Sequence, residues 1–161
     1  MSHDQSLRDQ LVAMLKGGHA HITFDKTVER FPLDRIGVRP PGMPHSAWEL
    51  LEHIRIAQND ILKFSESADH VSPEWPGGYW PASPAPGDAK DWGKSVRSFR
   101  ADLTAFETLV QDPKRDLFQP FPWGDGQTLF HEACLIVDHN SYHLGEIVTV
   151  RRILGIWPSG K

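Results

Sequence analysis

Cys134 is the only cysteine in the chain, which excludes an internal disulfide and a cysteine-rich zinc knuckle. No apolar stretch approaches the roughly 18–20 residues that a bilayer-spanning helix needs. No run of Lys or Arg is present, and 17 basic residues stand against 21 acidic ones for a net charge of −4. The basic footprint that phosphate backbones require is therefore missing, and nucleic acid is not the expected partner. The polar opening Met1-Ser2-His3-Asp4-Gln5 lacks the charged-then-apolar pattern of a signal peptide. These absences together lead to the expectation of a cytoplasmic protein with neither a membrane nor a nucleic-acid partner. No segment reads as a strand, and no repeat or low-complexity tail is visible. The length of 161 residues predicts one domain spanning 1–161, large enough to build a core without staples. The compositional oddity is nine histidines, and the question is whether any of them converge.

Hydrophobic periodicity predicts an all-α protein. Leu7, Leu11, Met14 and Leu15 mark a helix over 4–16, interrupted by Gly17-Gly18. A second short helix is expected over about 24–31, stopped by Pro32. The connector Arg39-Pro40-Pro41-Gly42-Met43-Pro44 follows. Ser46-Ala47-Trp48-Glu49 then fits a capping box, opening a helix to about residue 66 with Leu50, Ile54, Ala57, Ile61 and Phe64 on one stripe. Residues 69–87 hold five prolines, three glycines, Trp75, Tyr79 and Trp80 without periodicity. A loop of that length in a small domain is either a site-lining lid or a stiff strap whose aromatics plug the end of a bundle. Trp92, Val96, Phe99, Leu103, Phe106 and Val110 form the seam of a helix from Asp88 to about Val110. A last helix, with Thr128 as its cap, runs to near Gly155. Three long helices plus an N-terminal one, with no sheet, predict an antiparallel four-helix bundle with long irregular loops.

At about 100° per residue, the last helix places His139 and His143 on or beside its apolar face, one turn apart. His53 sits at the edge of the buried stripe of the capping-box helix. Imidazoles at i and i+4 can occupy adjacent positions around one cation, and His53 from a neighbouring helix would complete a facial set. Nitrogen ligands suit Zn²⁺, Ni²⁺ or Fe²⁺ better than Mg²⁺ or Ca²⁺. The pattern is equally that of buried histidines held by ordinary hydrogen bonds, and from the residues alone both readings stand. Glu132 and Glu146 lie on the flank bearing the histidine pair, and Asp60 lies two turns below His53. Each can orient an imidazole or act as a base, or else is a solvated edge or a partner of Arg151 or Arg55. His131 is expected at the surface, His45 at the helix entry, and Cys134 away from any nucleophile's role. Trp48, opposite the apolar stripe, is a candidate dimer contact or packs against the N-terminal segment.

Three stretches, Pro44-His45-Ser46-Ala47-Trp48-Glu49-Leu50-Leu51-Glu52-His53, Asp138-His139-Asn140-Ser141-Tyr142-His143-Leu144-Gly145-Glu146-Ile147 and Arg151-Arg152-Ile153-Leu154-Gly155-Ile156-Trp157-Pro158, together resemble the DinB/YfiT-like superfamily. The resemblance implies an antiparallel four-helix bundle, often dimeric, with a divalent metal on three histidines. Carried over by position, the ligands are His53, His139 and His143. Members of the family commonly have Gln where this chain has Glu146, so a carboxylate stands near the site and becomes the candidate catalytic residue. Characterised relatives are metal-dependent hydrolases or transfer low-molecular-weight thiols. The expectation is thus a metal-dependent enzyme acting on a small molecule, with a non-catalytic metal- or small-molecule-binding protein of the same fold as the alternative.

Overall fold

A computed structural model describes residues 2–158. It contains five α-helices and one 3₁₀ turn, with no named strand among the described residues. Helix α1 (His3–Lys16) starts on Ser2, whose hydroxyl accepts from the Gln5 N–H, and ends where Gly17 and Gly18 take φ of 70° and 85°. That left-handed backbone carries no Cβ penalty for glycine. Helix α2 (Phe24–Val28) stops three residues before the predicted end. The carbonyls of Thr27 and Glu29 accept from Arg151 Nη1 at 2.6 and 3.0 Å, and Arg30 takes a φ of 51° that turns Phe31 into the core. A buried guanidinium from the far end of the chain replaces the next helical turn.

Helix α3 (Ala47–Glu66) begins as predicted. Ser46 Oγ accepts from the Glu49 N–H at 3.2 Å, and Glu49 Oε2 accepts from the Ser46 N–H at 2.8 Å. The same carboxylate pairs with Arg39, which anchors the proline-rich connector to the helix start. Leu50, Leu51 and Ile54 are fully buried, and each such side chain contributes about 1.5–3 kcal/mol of transfer free energy. Helix α4 (Ala89–Gln111) opens on a second capping box, Asp88 with Asp91, that the sequence reading did not register. Helix α5 (Leu129–Ile153) is capped by Thr128.

Helix α3 packs against both α4 and α5, and α1 packs against α4 and α5. Two apolar clusters result, one around Ile54, Phe99 and Ile147, the other around Leu62, Phe106 and Ile136. A buried amide relay runs between the helices: Asn140 Nδ2 donates to Gln58 Oε1 at 2.9 Å, and Gln58 Nε2 donates to the Phe99 carbonyl at 2.8 Å. Trp48 is buried in the same cluster as Phe24, Phe31 and Ile36, and its backbone N–H donates to the Ile36 carbonyl at 2.8 Å. The segment before α3 folds over that face, so Trp48 takes the intramolecular of its two expected places and is not a free dimer contact. No helix among the described residues is long and apolar enough to cross a membrane.

Candidate metal centre

The α3–α5 packing brings His53, His139 and His143 together, with one ring nitrogen from each within 4.8 Å of the others. His53 Nε2 and His139 Nε2 lie 3.0 Å apart. The ring centroids are 4.6–4.8 Å apart, and the planes meet at 61°, 66° and 86°. Three rings turned edge to face about a common point expose nitrogens rather than flat surfaces to one another. With bonds of about 2.0–2.1 Å, two nitrogens on one ion stand about 3.0 Å apart at a right angle and about 3.4 Å apart at the tetrahedral angle. The His53–His139 spacing already fits, and closing a gap of 4.8 Å to those values takes about 1.4–1.8 Å of relative ring movement.

Hydrogen-bond partners assign the tautomers. His53 Nδ1 is 2.9 Å from the Tyr79 carbonyl, which can only accept, so Nδ1 carries the proton and Nε2 of the neutral ring presents a lone pair. His143 Nδ1 is 2.6 Å from Glu146 Oε2, which leaves its Nε2 for the cluster in the same way. His139 can meet the His53 lone pair by donating a proton or by sharing a cation with it, and both arrangements bring the same two atoms to that distance. Burial, followed by the charge of its neighbours, lowers the pKa of His139 and of His143 to about 4. Burial also lowers that of His53, against the opposing effect of the Tyr79 carbonyl. Neutral imidazoles with free lone pairs are the form that a metal requires. The donor set, three nitrogens and no coordinated carboxylate, fits a transition-metal dication rather than Mg²⁺ or Ca²⁺.

The loop over 69–87 supplies the surroundings of His53. Trp80 stacks on the His53 ring at 4.0 Å and 2°, and His45 stacks on the other side of Trp80 at 4.0 Å and 19°. The loop is held by Asp60, where Tyr79 Oη donates to Oδ2 at 2.6 Å and His70 Nε2 meets Oδ1 at 2.6 Å. Burial and the Asp60 carboxylate push the Tyr79 phenol up to about 12, so it stays a proton donor. A Cβ on Gly78 would lie 2.8 Å from Pro73 Cβ, so glycine permits the tight turn before Tyr79.

Of the flanking carboxylates, Glu146 is placed against His143, and burial raises its pKa. It does not line the cleft beside the histidines. Asp60 is the loop's anchor, and Glu132 is buried. Neither pairs with Arg55 or Arg151: Arg55 bonds Glu52, and Arg151 bonds backbone carbonyls. His131 and Cys134 are exposed, and partial desolvation raises the Cys134 thiol pKa. Sequence reasoning named Tyr79 and Trp80 only as aromatics of a loop that either lines the site or plugs the bundle end, and it missed His70 altogether. Their one signal was the aromatic density of a long loop.

Beside the histidines opens a cleft of about 450 Å³, lined also by Ala57, Ile61, Trp75 and Leu135. The three nitrogens therefore face a space that can admit a small molecule. Comparison with protein-family models, curated proteins and solved structures returns no match to this chain.

Proposed function

We propose that the chain is a metal-dependent enzyme of DinB/YfiT-like type, a hydrolase or low-molecular-weight thiol transferase. In this reading His53, His139 and His143 hold a zinc, nickel or iron dication, and α1, α3, α4 and α5 form an antiparallel four-helix bundle around it. The observation that carries the reading is the pair of lone-pair nitrogens fixed by outer partners, His53 by the Tyr79 carbonyl and His143 by Glu146, within reach of His139. Outer partners that fix the tautomer are typical of metal-ligating histidines.

When bound, the ion supplies Lewis acidity, lowering the pKa of a water or thiol and polarising an electrophile. The protein's residues do the rest. Glu146 and the Tyr79 carbonyl hold the outer ring protons of His143 and His53 and keep the inner nitrogens aimed at the cleft. Trp80 covers one face of His53 and shields it from water. Ala57, Ile61 and Leu135 give the cleft an apolar wall. Among the described residues the cleft lining holds no Ser, Thr, Cys or Lys, which favours activation of the attacking group by the ion. Glu146 acts here as a positioning residue.

The non-catalytic alternative has the same site and differs in turnover. Untagged protein should carry about one transition metal per chain, and His143→Ala should lose it together with any turnover. Metal retained at full stoichiometry in that variant overturns the assignment. Turnover of thiol-conjugation, ester or amide substrates that disappears on chelation separates enzyme from binder.

A further inference from the structure

The cleft beside the histidines continues into a second depression that shares Asp60, Ile61 and Leu135 with it and adds Glu132. Glu132 is 4% exposed and lines this depression, and its carboxylate oxygens are not among the fully buried atoms that lack a partner, so they open onto the cleft without a protein hydrogen bond among the described residues. A buried carboxylate without a partner is costly, and a cation arriving beside it removes that cost. Asp60 stands in the same wall, close enough for its charge to add to the burden on Glu132. Neither depression is lined by a Lys or Arg. Trp75 lines the first depression with Asp60 and is 77% exposed, with its ring 5.6 Å from that of Tyr79 at 62°. The backbone there is ordered by the Gly78 N–H to Glu74 carbonyl bond at 2.7 Å and by the Tyr79 N–H to Pro76 carbonyl bond at 3.2 Å. A large indole fixed in solvent is a surface waiting for contact.

We propose that this cleft recognises an organic cation, an amine or quaternary ammonium on an apolar body, with its charge between the Trp75–Tyr79 corner and the Asp60 and Glu132 carboxylates. Two aromatic faces with nearby carboxylates form the usual receptor for an ammonium group. The apolar Ile61 and Leu135 walls fit a hydrocarbon body and do not fit a hydrated metal ion. The proposal rests on the reading that substrate sits beside the three histidines, and it names the substrate class for that site.

Benzyltrimethylammonium is a suitable probe because its quaternary nitrogen cannot ligate a metal, and benzenesulfonate is its anionic counterpart. Calorimetric titration of the full, zinc-free chain should show saturable binding of the ammonium probe and none of the sulfonate at the same concentrations. Trp75→Ala removes an exposed side chain and Glu132→Gln keeps the shape. Each variant, with an unchanged far-ultraviolet spectrum, should weaken the ammonium probe about ten-fold or more. Equal affinity for both probes, no saturable ammonium binding, or unaltered affinity in Trp75→Ala overturns the proposal. Zinc stoichiometry, measured in a separate titration, does not enter these readouts, so a failed metal assignment and a failed ligand class read out separately.

Discussion

The chemistry of the site is decided by a few buried polar groups whose partners are unusual in number or kind. His53 and His143 each spend one nitrogen on an outer acceptor and keep the other for the cluster. Glu132 has no such partner, and burial raises its pKa. An acid whose folded pKa is raised binds more protons in the native state than in the unfolded one. Its favourable contribution is complete below the unfolded value near 4.5 and is lost as pH rises through the folded value. At neutral pH the ionised group is therefore a liability. Glu132→Gln should raise the melting temperature at pH 7 by about 2–4 °C, with the gain vanishing near pH 4. Thermal unfolding across that range checks it, and a lower melting temperature for the variant at pH 7 would contradict the burial argument. Destabilised charges retained in a cleft are what a ligand-binding site carries at the expense of stability.

Among the elements, the 69–87 loop couples a sequence feature that looked merely irregular to the geometry of the metal site. Tyr79 and Trp80 come from it, and Asp60 on α3 clamps it through Tyr79 and His70. The lid and strap readings of the loop describe one object, since its aromatics cover His53 and its carbonyl fixes the His53 tautomer. Asp60→Ala should release the clamp, speed proteolytic cleavage within 69–87, and weaken zinc binding by about 10–100-fold, the usual range for loss of an outer partner. Limited proteolysis alongside a zinc competition titration measures both. Unchanged zinc affinity with a freely cleaved loop would show that the loop does not support the site. Helix starts were legible because caps are local: Ser46 with Glu49 and Thr128 each act within one turn of chain. The early end of α2 was not legible, because its cause, Arg151, lies more than a hundred residues away. Arg8 poses the same problem in reverse, since it closes the end of α4 by donating to the Val110, Asp112 and Arg115 carbonyls.

For the whole molecule, α3 and α5 pack so that two apolar clusters flank a polar layer of histidines and the Gln58–Asn140 amide relay. Helical periodicity placed the three histidines on inward-facing edges, so spacing allowed His53 to face His139 and His143, but that α3 and α5 are the helices that pack together is a fact of the tertiary fold. The outer partners were not readable from spacing. Glu146 could be placed on the right flank, but whether it met His143 or solvent depends on side-chain packing. Tyr79 and Trp80 depend on a loop path that no periodicity encodes. The most direct test of the account is anomalous diffraction from crystals of the untagged, metal-loaded protein, measured on either side of the absorption edge of the bound element. The account predicts one peak among His53, His139 and His143, about 2.0–2.2 Å from a nitrogen of each ring. A peak elsewhere on the chain, or any of the three rings turned away from it, would contradict the account.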